Sequence, residues 1–85
     1  MNNVDHLITL ANRIGSFFES FPDRAEGIEG IANHIQKFWE PRMRIALLQF
    51  LDTQPDGQTD KTSLSSIVLD AITQNKERLT PKNLH

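Results

Sequence analysis

Cysteine is absent from this chain of 85 residues. Without a thiol, the chain cannot form disulfide bonds or thiolate metal sites, cannot supply a cysteine nucleophile, and cannot ligate an iron–sulfur cluster through sulfur. Long apolar runs are missing as well, because none approaches the roughly 18 residues that a membrane-spanning helix requires. Residues 1–6 lack the basic and apolar regions of a signal peptide. We therefore expect a cytoplasmic protein with no membrane partner.

An excess of positive charge is also absent, because nine lysines and arginines stand against eleven acidic residues, for a net charge of −2. The basic residues are scattered and no aromatic–basic stripe accompanies them. Nucleic acids attract proteins mainly through clustered positive charge. We expect no nucleic-acid partner, and a helix-turn-helix binder remains only as a disfavoured alternative.

Motifs that carry catalysis or bind cofactors are missing too. His6 and His34 have no second ligand on their helical faces, His85 ends the chain, and no phosphate loop or dinucleotide fingerprint is present. The acidic segment 52–63 resembles a calcium loop, but Ser63 at its last position cannot provide the bidentate carboxylate. The sequence therefore predicts no catalytic residue, no metal site and no cofactor.

Apolar residues recur at spacings of three and four along most of the chain, which predicts amphipathic helices. Helix one is expected from Val4 to about Ser20, and helix two from a cap at Asp23 to about Trp39. The predicted apolar positions of these two helices are Leu7, Leu10, Ala11, Ile14, Phe17, Phe18, Phe21, Ile28, Ile31, Ala32, Ile35, Phe38 and Trp39.

Two further helices complete the prediction. Helix three is expected from Pro41 to Leu51 or Asp52, and helix four from a cap at Ser65 to about Arg78. Residues 53–64 lack periodicity and predict a mobile loop, and residues 79–85 predict a polar tail. The expected fold is all-α: a compact bundle of about four short helices in a single domain over residues 1–85, with its core in residues 4–78.

Gly15 interrupts the apolar pattern of helix one at a cost of about 1 kcal/mol relative to alanine. A glycine inside a helix indicates that another element approaches its backbone closely. Either a crossing helix of the same chain or a partner subunit would explain it.

The centre of the chain, Phe38–Arg44, contains the single tryptophan, Trp39, and a proline that cannot continue a straight helix. We favour a new helix capped by Glu40 with Pro41 in its first position over one kinked helix. Glu40 and Arg44 would form an ion pair if both were helical. Trp39 is either a core residue or an interface hot spot.

Helix three is apolar on more than one side. Met43, Ala46, Leu47, Phe50 and Leu51 form one face, and Ile45 and Leu48 fall outside that face. Such a helix is either central in its own bundle or half covered by another chain. A homodimer closed by this helix is therefore one possible assembly.

Three segments carry a family resemblance. They are residues 38–44 (Phe-Trp-Glu-Pro-Arg-Met-Arg), residues 11–18 (Ala-Asn-Arg-Ile-Gly-Ser-Phe-Phe) and residues 31–35 (Ile-Ala-Asn-His-Ile). In this order and spacing they resemble the delta subunit of NAD-dependent formate dehydrogenase across residues 5–51, with a weaker similarity at residues 64–68. The chain departs from the family pattern in loop 53–62 and at Ser66, where we expect proline.

The resemblance implies a non-catalytic accessory subunit. In that family a molybdenum–pterin subunit oxidises formate, iron–sulfur and flavin subunits pass electrons to NAD, and the delta subunit is associated with assembly or stability of the complex. The expected partners are therefore the larger formate dehydrogenase subunits. The alternative is a self-associating helical adaptor unrelated to formate oxidation.

On this reading the domain docks through the elbow between helices two and three. Trp39 and Met43 would be apolar anchors, and Arg42 and Arg44 would meet acidic or carbonyl groups. Phe17 and Phe18 would lie inside or beside this patch. The complete set of expected partner-binding residues is Phe17, Phe18, Trp39, Pro41, Arg42, Met43 and Arg44.

Overall fold

The computed structural model describes residues 3–82, which form five helices: α1 (Asn3–Phe18), α2 (Arg24–Phe38), α3 (Pro41–Thr53), α4 (Ser66–Gln74) and α5 (Lys76–Leu79). Within this range no strand forms, and a single bridge pairs Gln58 with Ser63. The prediction of a small all-α bundle is confirmed. His85 and the last residues of the predicted polar tail lie outside the described residues.

The predicted fourth helix is interrupted, so that α4 and α5 replace it. Asn75 leaves the helical region with φ −124° and ψ 29°, and its side-chain amide donates to the carbonyl of Ala71 at 2.8 Å. An asparagine side chain competes in this way with the backbone for helical acceptors. The prediction of one unbroken helix to about Arg78 is therefore wrong, because α4 ends at Gln74 and a separate α5 ends at Leu79. Leu79, a residue of the predicted polar tail, is buried.

Both predicted helix starts in the middle of the chain are confirmed. The Asp23 carboxylate accepts a hydrogen bond from the Ala25 N–H at 2.9 Å and caps α2. Glu40 is the N-cap of α3 and Pro41 its first residue, although the Glu40 side chain makes no capping bond. Because Trp39 and Glu40 are both extended, α2 and α3 are separate helices rather than one kinked helix.

The core lies where α1, α2 and α4 meet, and α3 and α5 close it from the sides. Trp39 belongs to it with a relative exposure of 7%. This burial answers the question left open by the sequence: the ring of Trp39 is part of the core. The core residues are Leu7, Ile8, Ala11, Ile31, Ile35, Trp39, Leu47, Leu51, Leu64, Ile67, Val68, Ala71, Ile72 and Leu79.

Helix α4 crosses α1 at Gly15. A β-carbon at this position would collide with the γ2 methyl of Val68 and would lie 3.3 Å from the Ser65 hydroxyl. Val68 is fully buried, so it has little room to move aside. The close approach predicted at Gly15 therefore comes from a helix of the same chain.

Asn12 holds the segment that leads into α4. Its side-chain amide donates to the carbonyl of Ser63 at 2.9 Å, and its side-chain oxygen accepts from the Ser65 N–H at 2.9 Å. One side chain thus satisfies two backbone groups just before the helix begins. This explains structurally two positions of the segment 11–18, Asn12 and Gly15, which both fix α4 on α1.

The loop between α3 and α4 is joined to the rest of the domain by hydrogen bonds and by one buried leucine. Gly57 turns it with φ +71°, a conformation that glycine adopts without steric cost. The Leu64 N–H donates to the Gly57 carbonyl at 2.9 Å, and the Thr59 hydroxyl donates to the Asp5 carboxylate at 2.8 Å. Leu64 itself is buried in the core.

Helix α5 is fastened to α2 by Arg78. Its guanidinium donates from Nη1 to Oε1 of Glu29 and from Nε to Oε1 of Gln36, each at 2.8 Å. The hydrogen bond from Arg78 lowers the pKa of Glu29 below its ordinary value, and the same bond raises the pKa of Arg78.

We expect Gly15→Ala to destabilise the domain by about 1–2 kcal/mol. Overpacking against Val68 costs roughly 1–3 kcal/mol, and the gain in helix propensity returns at most about 1 kcal/mol. Urea unfolding followed by circular dichroism measures the difference. The control is Ser16→Ala, because Ser16 is exposed on the same helix. Equal or greater stability of Gly15→Ala would show that α4 does not pack closely on α1.

We expect the stability of the domain to depend on pH through Glu29. Since the pKa of Glu29 is lowered on folding from a value near 4.5, the stability from its bond to Arg78 is complete above that value. It is lost as the pH falls through the folded pKa. We expect Arg78→Gln to return the pKa of Glu29 towards its ordinary value, measured by carboxyl NMR titration. Arg24→Gln, which breaks the separate ion pair with Asp70, is the control and leaves Glu29 unchanged.

Candidate docking surface

The elbow between α2 and α3 separates two adjacent aromatic residues. Trp39 enters the core, whereas Phe38, one residue earlier, is 70% exposed. Neighbouring residues at a helix end point about 100° apart, so only one of the two can face inward. The sequence placed Phe38 on the buried stripe of helix two, and the structure corrects this. The sequence contains one indication of this arrangement: Phe38 and Trp39 are adjacent at the end of a helix, where both rings cannot be buried.

The elbow also separates the two arginines. The side chain of Arg42 is 91% exposed and lies 3.5 Å from the carboxylate of Glu40. Arg44 turns to the other side of α3, where its Nη1 donates to the Leu79 carbonyl at 3.2 Å. The conditional ion pair between Glu40 and Arg44 does not form, because Glu40 precedes the helix. Arg44 is used within the chain, and Arg42 reaches solvent.

Met43 lies with Arg42 in a cleft between α1 and α3. The volume of this cleft is about 560 Å³. Its buried and half-buried side chains are Leu7, Leu10, Met43 and Ala46, and its exposed ones are His6, Glu40 and Arg42. An apolar cavity with charged groups around it suits an apolar side chain that is flanked by polar ones.

Three phenylalanines cluster at the other end of α2, beside the last turn of α1. The ring centroids of Phe17 and Phe18 are 5.0 Å apart, and those of Phe18 and Phe21 are 5.2 Å apart. Phe18 is half-buried against Gly30, where any β-carbon would collide with its ring. Phe17 is left 64% exposed.

A second aromatic pair extends this cluster along α2. His34 and Phe38 have ring centroids 4.8 Å apart. Gly30, His34 and Phe38 follow one another at intervals of four residues, which places them on one face of the helix. The Phe18 ring over Gly30 therefore begins a line that ends at the elbow. We name Phe17, Phe18, Phe21, His34 and Phe38 the aromatic strip.

The seven residues expected to bind a partner fall into three groups. Pro41, Arg42 and Met43 lie together at the elbow, and Phe17 and Phe18 lie at the far end of α2. The aromatic strip begins at Phe17 and Phe18 and ends at Phe38, the last residue of α2 before the elbow. The third group, Trp39 and Arg44, makes internal contacts. Phe21, His34 and Phe38 are not among these seven residues. Helical periodicity assigned Phe21 and Phe38 to the buried stripes of helices one and two, and His34 was considered only as a metal ligand. A surface that is formed by two helices together gives no periodic signal in either one.

Residues 3–82 contain no group of three or more histidine, aspartate or glutamate side chains that could hold a metal ion. Nor does this range contain a helix with the length and apolar character needed to cross a membrane.

One family model matches the chain, that of the NADH-dependent formate dehydrogenase delta subunit FdsD, over residues 6–72. No curated protein and no solved structure matches. The matched range includes the Asn12 and Gly15 contacts, the aromatic strip and the elbow, and ends within α4. Because the match covers most of the 85 residues, the chain belongs to the FdsD family of formate dehydrogenase delta subunits.

Proposed function

We propose that this chain is a non-catalytic accessory subunit of a molybdenum-containing, NAD-dependent formate dehydrogenase, and that it acts in the cytoplasm. It supports assembly or stability of the complex by contacting the larger subunits, in which formate oxidation and electron transfer take place. Membership of the delta-subunit family supports this assignment. The observation that carries the proposed contact is the aromatic strip, in which Phe17 and Phe38 are exposed.

Covering the strip would contribute substantially to binding. A phenylalanine side chain buries at least about 150 Å² when fully covered, and burial of apolar area contributes about 25 cal/mol per Å². Phe17 and Phe38 are each more than half exposed, so covering either one contributes on the order of 2–3 kcal/mol. Aromatic side chains are also enriched at the centres of protein interfaces.

The elbow supplies the polar end of the same contact. In this proposal, an apolar side chain of the partner enters the cleft beside Met43, and Arg42 pairs with an acidic or carbonyl group at its edge. Arg42 is already oriented by Glu40 at 3.5 Å, and such an exposed pair contributes little to folding stability. If Arg42 leaves Glu40 to pair with the partner, the folding stability of the domain therefore changes little.

A homodimer is the alternative occupant of the exposed surface. Helix α3 offers little apolar surface for a homodimer. Of the two apolar residues outside its main face, Leu48 packs against the core and only Ile45 does not. A homodimer would therefore use the aromatic strip. Light scattering of the purified chain distinguishes a dimer from the proposed subunit, which is monomeric until it meets its partner.

The test is co-purification of the tagged chain from its own cells, with its partners identified by mass and formate oxidation assayed. We expect formate dehydrogenase subunits in stable ratio. Phe38→Ser weakens this association by about tenfold or more, equal to about 1.4 kcal/mol, without destabilising the free domain, because Phe38 is exposed. The control is Lys37→Ser at the exposed neighbouring position.

Trp39→Ala separates core from interface in the same experiment. Removing a buried tryptophan costs about 3–5 kcal/mol of folding stability, so we expect this variant to fail through unfolding, detected by circular dichroism.

Recovery of the chain alone, or with unrelated proteins, contradicts the proposed function. Full association of Phe38→Ser would contradict the role given to the aromatic strip.

A further inference from the structure

A second cleft lies on the opposite side of the elbow, between the start of α3 and the segment that follows α5. Its volume is about 380 Å³, and it is lined by Gln36, Pro41, Arg44, Arg78, Thr80, Pro81 and Lys82. Three of these residues carry positive charge and none carries negative charge. The cleft is therefore a basic site on a chain whose net charge is −2.

The cations of this basic cleft retain hydrogen-bond donors that the described residues do not use. A guanidinium carries five N–H groups. Arg44 gives one bond, from Nη1 to the Leu79 carbonyl, and its Nε is buried and out of reach of a ligand, so the groups left for a ligand are at the end of its guanidinium. Arg78 uses Nε and Nη1 for Gln36 and Glu29. Lys82 is exposed and makes no ion pair with the described part of the chain.

Acidic groups near the cleft do not neutralise it. Glu29 takes up part of the charge of Arg78 at 2.8 Å, and Glu77 lines the neighbouring cleft that Gln36, Arg78 and Lys82 share. Arg44 and Lys82 have no carboxylate partner of their own among the residues described. Like charges held together in this way repel, and an added carboxylate relieves the repulsion while accepting the unused N–H bonds.

We infer that the basic cleft binds a carboxylate side chain from an acidic segment of a protein partner. Arginine forks match carboxylates geometrically and bind them with two parallel hydrogen bonds. The identity of the partner rests on the proposed function, in which it is a larger formate dehydrogenase subunit. The binding site itself depends only on the residues of the cleft.

A protein segment suits the site better than a free small anion. Exposed charge pairs in water contribute only about 0.2–1 kcal/mol each, so a small ion that makes one such pair is held weakly, whereas a segment with several carboxylates adds several such contacts. A carboxylate on a partner that is already docked at the elbow acts at high effective concentration. Pro41 adjoins both surfaces, because it lines the basic cleft and precedes Arg42 of the other cleft.

The experiment is an NMR titration of the ¹⁵N-labelled full chain at constant ionic strength, with a hexaglutamate peptide, a hexaglutamine peptide and inorganic phosphate as separate probes. We expect saturable shifts for hexaglutamate at Gln36, Arg78, Thr80 and Lys82, and none for hexaglutamine. Lys82→Gln weakens hexaglutamate binding by about 2–5-fold, the range expected for loss of one exposed charge contact. Lys61→Gln removes the same charge from an exposed loop position that does not line the cleft and leaves the affinity unchanged.

Three results would overturn the inference. Equal weakening by Lys61→Gln would show general electrostatic attraction, and equal saturation by phosphate would show a small-anion site rather than a peptide site. Absence of saturable shifts would show that nothing acidic binds there. None of these results affects the proposed function, which depends on co-purification with formate dehydrogenase subunits.

Discussion

The close crossing of α4 over α1 at Gly15 is the contact on which the rest of the structure depends. Only a residue without a β-carbon allows Val68 to reach the α1 backbone, and Asn12 fixes the approach of α4 by binding both Ser63 and Ser65. With α4 in place, Ile67, Val68, Ala71 and Ile72 fill the space between α1 and α2. The short segment 11–18 thus specifies a tertiary contact as well as a helix.

The same packing explains why an aromatic surface remains outside. A domain of this size buries only about 60% of the surface that its unfolded chain exposes, and the α2 face towards α4 takes Ile31 and Ile35 into the core. Gly30, His34 and Phe38 lie on another face, where Phe18 covers only the first. The elbow then sends Trp39 inward. The exposure of Phe38 follows from the burial of its neighbour.

Much of the fold could be predicted from the sequence, because local rules determine it. Pro41 cannot continue a helix, Asp23 favours a cap, and Gly15 indicates a close approach; each expectation is confirmed. The sequence does not predict in the same way which arginine and which aromatic residue is exposed. Arg42 and Phe38 reach solvent, whereas Arg44 and Trp39 make internal contacts. Both depend on the direction in which α3 leaves the elbow, which tertiary packing sets. The break at Asn75 depends on one side-chain bond that competes with the helix.

Carbene footprinting of the free chain and of the assembled enzyme tests most directly whether a larger formate dehydrogenase subunit covers the aromatic strip, as we propose. We predict that labelling of Phe17 and Phe38 falls on assembly, that Trp39 is protected in both states, and that Lys61 on the distant loop stays equally labelled. Unchanged labelling of Phe17 and Phe38 in an assembled enzyme that contains this chain would contradict the account.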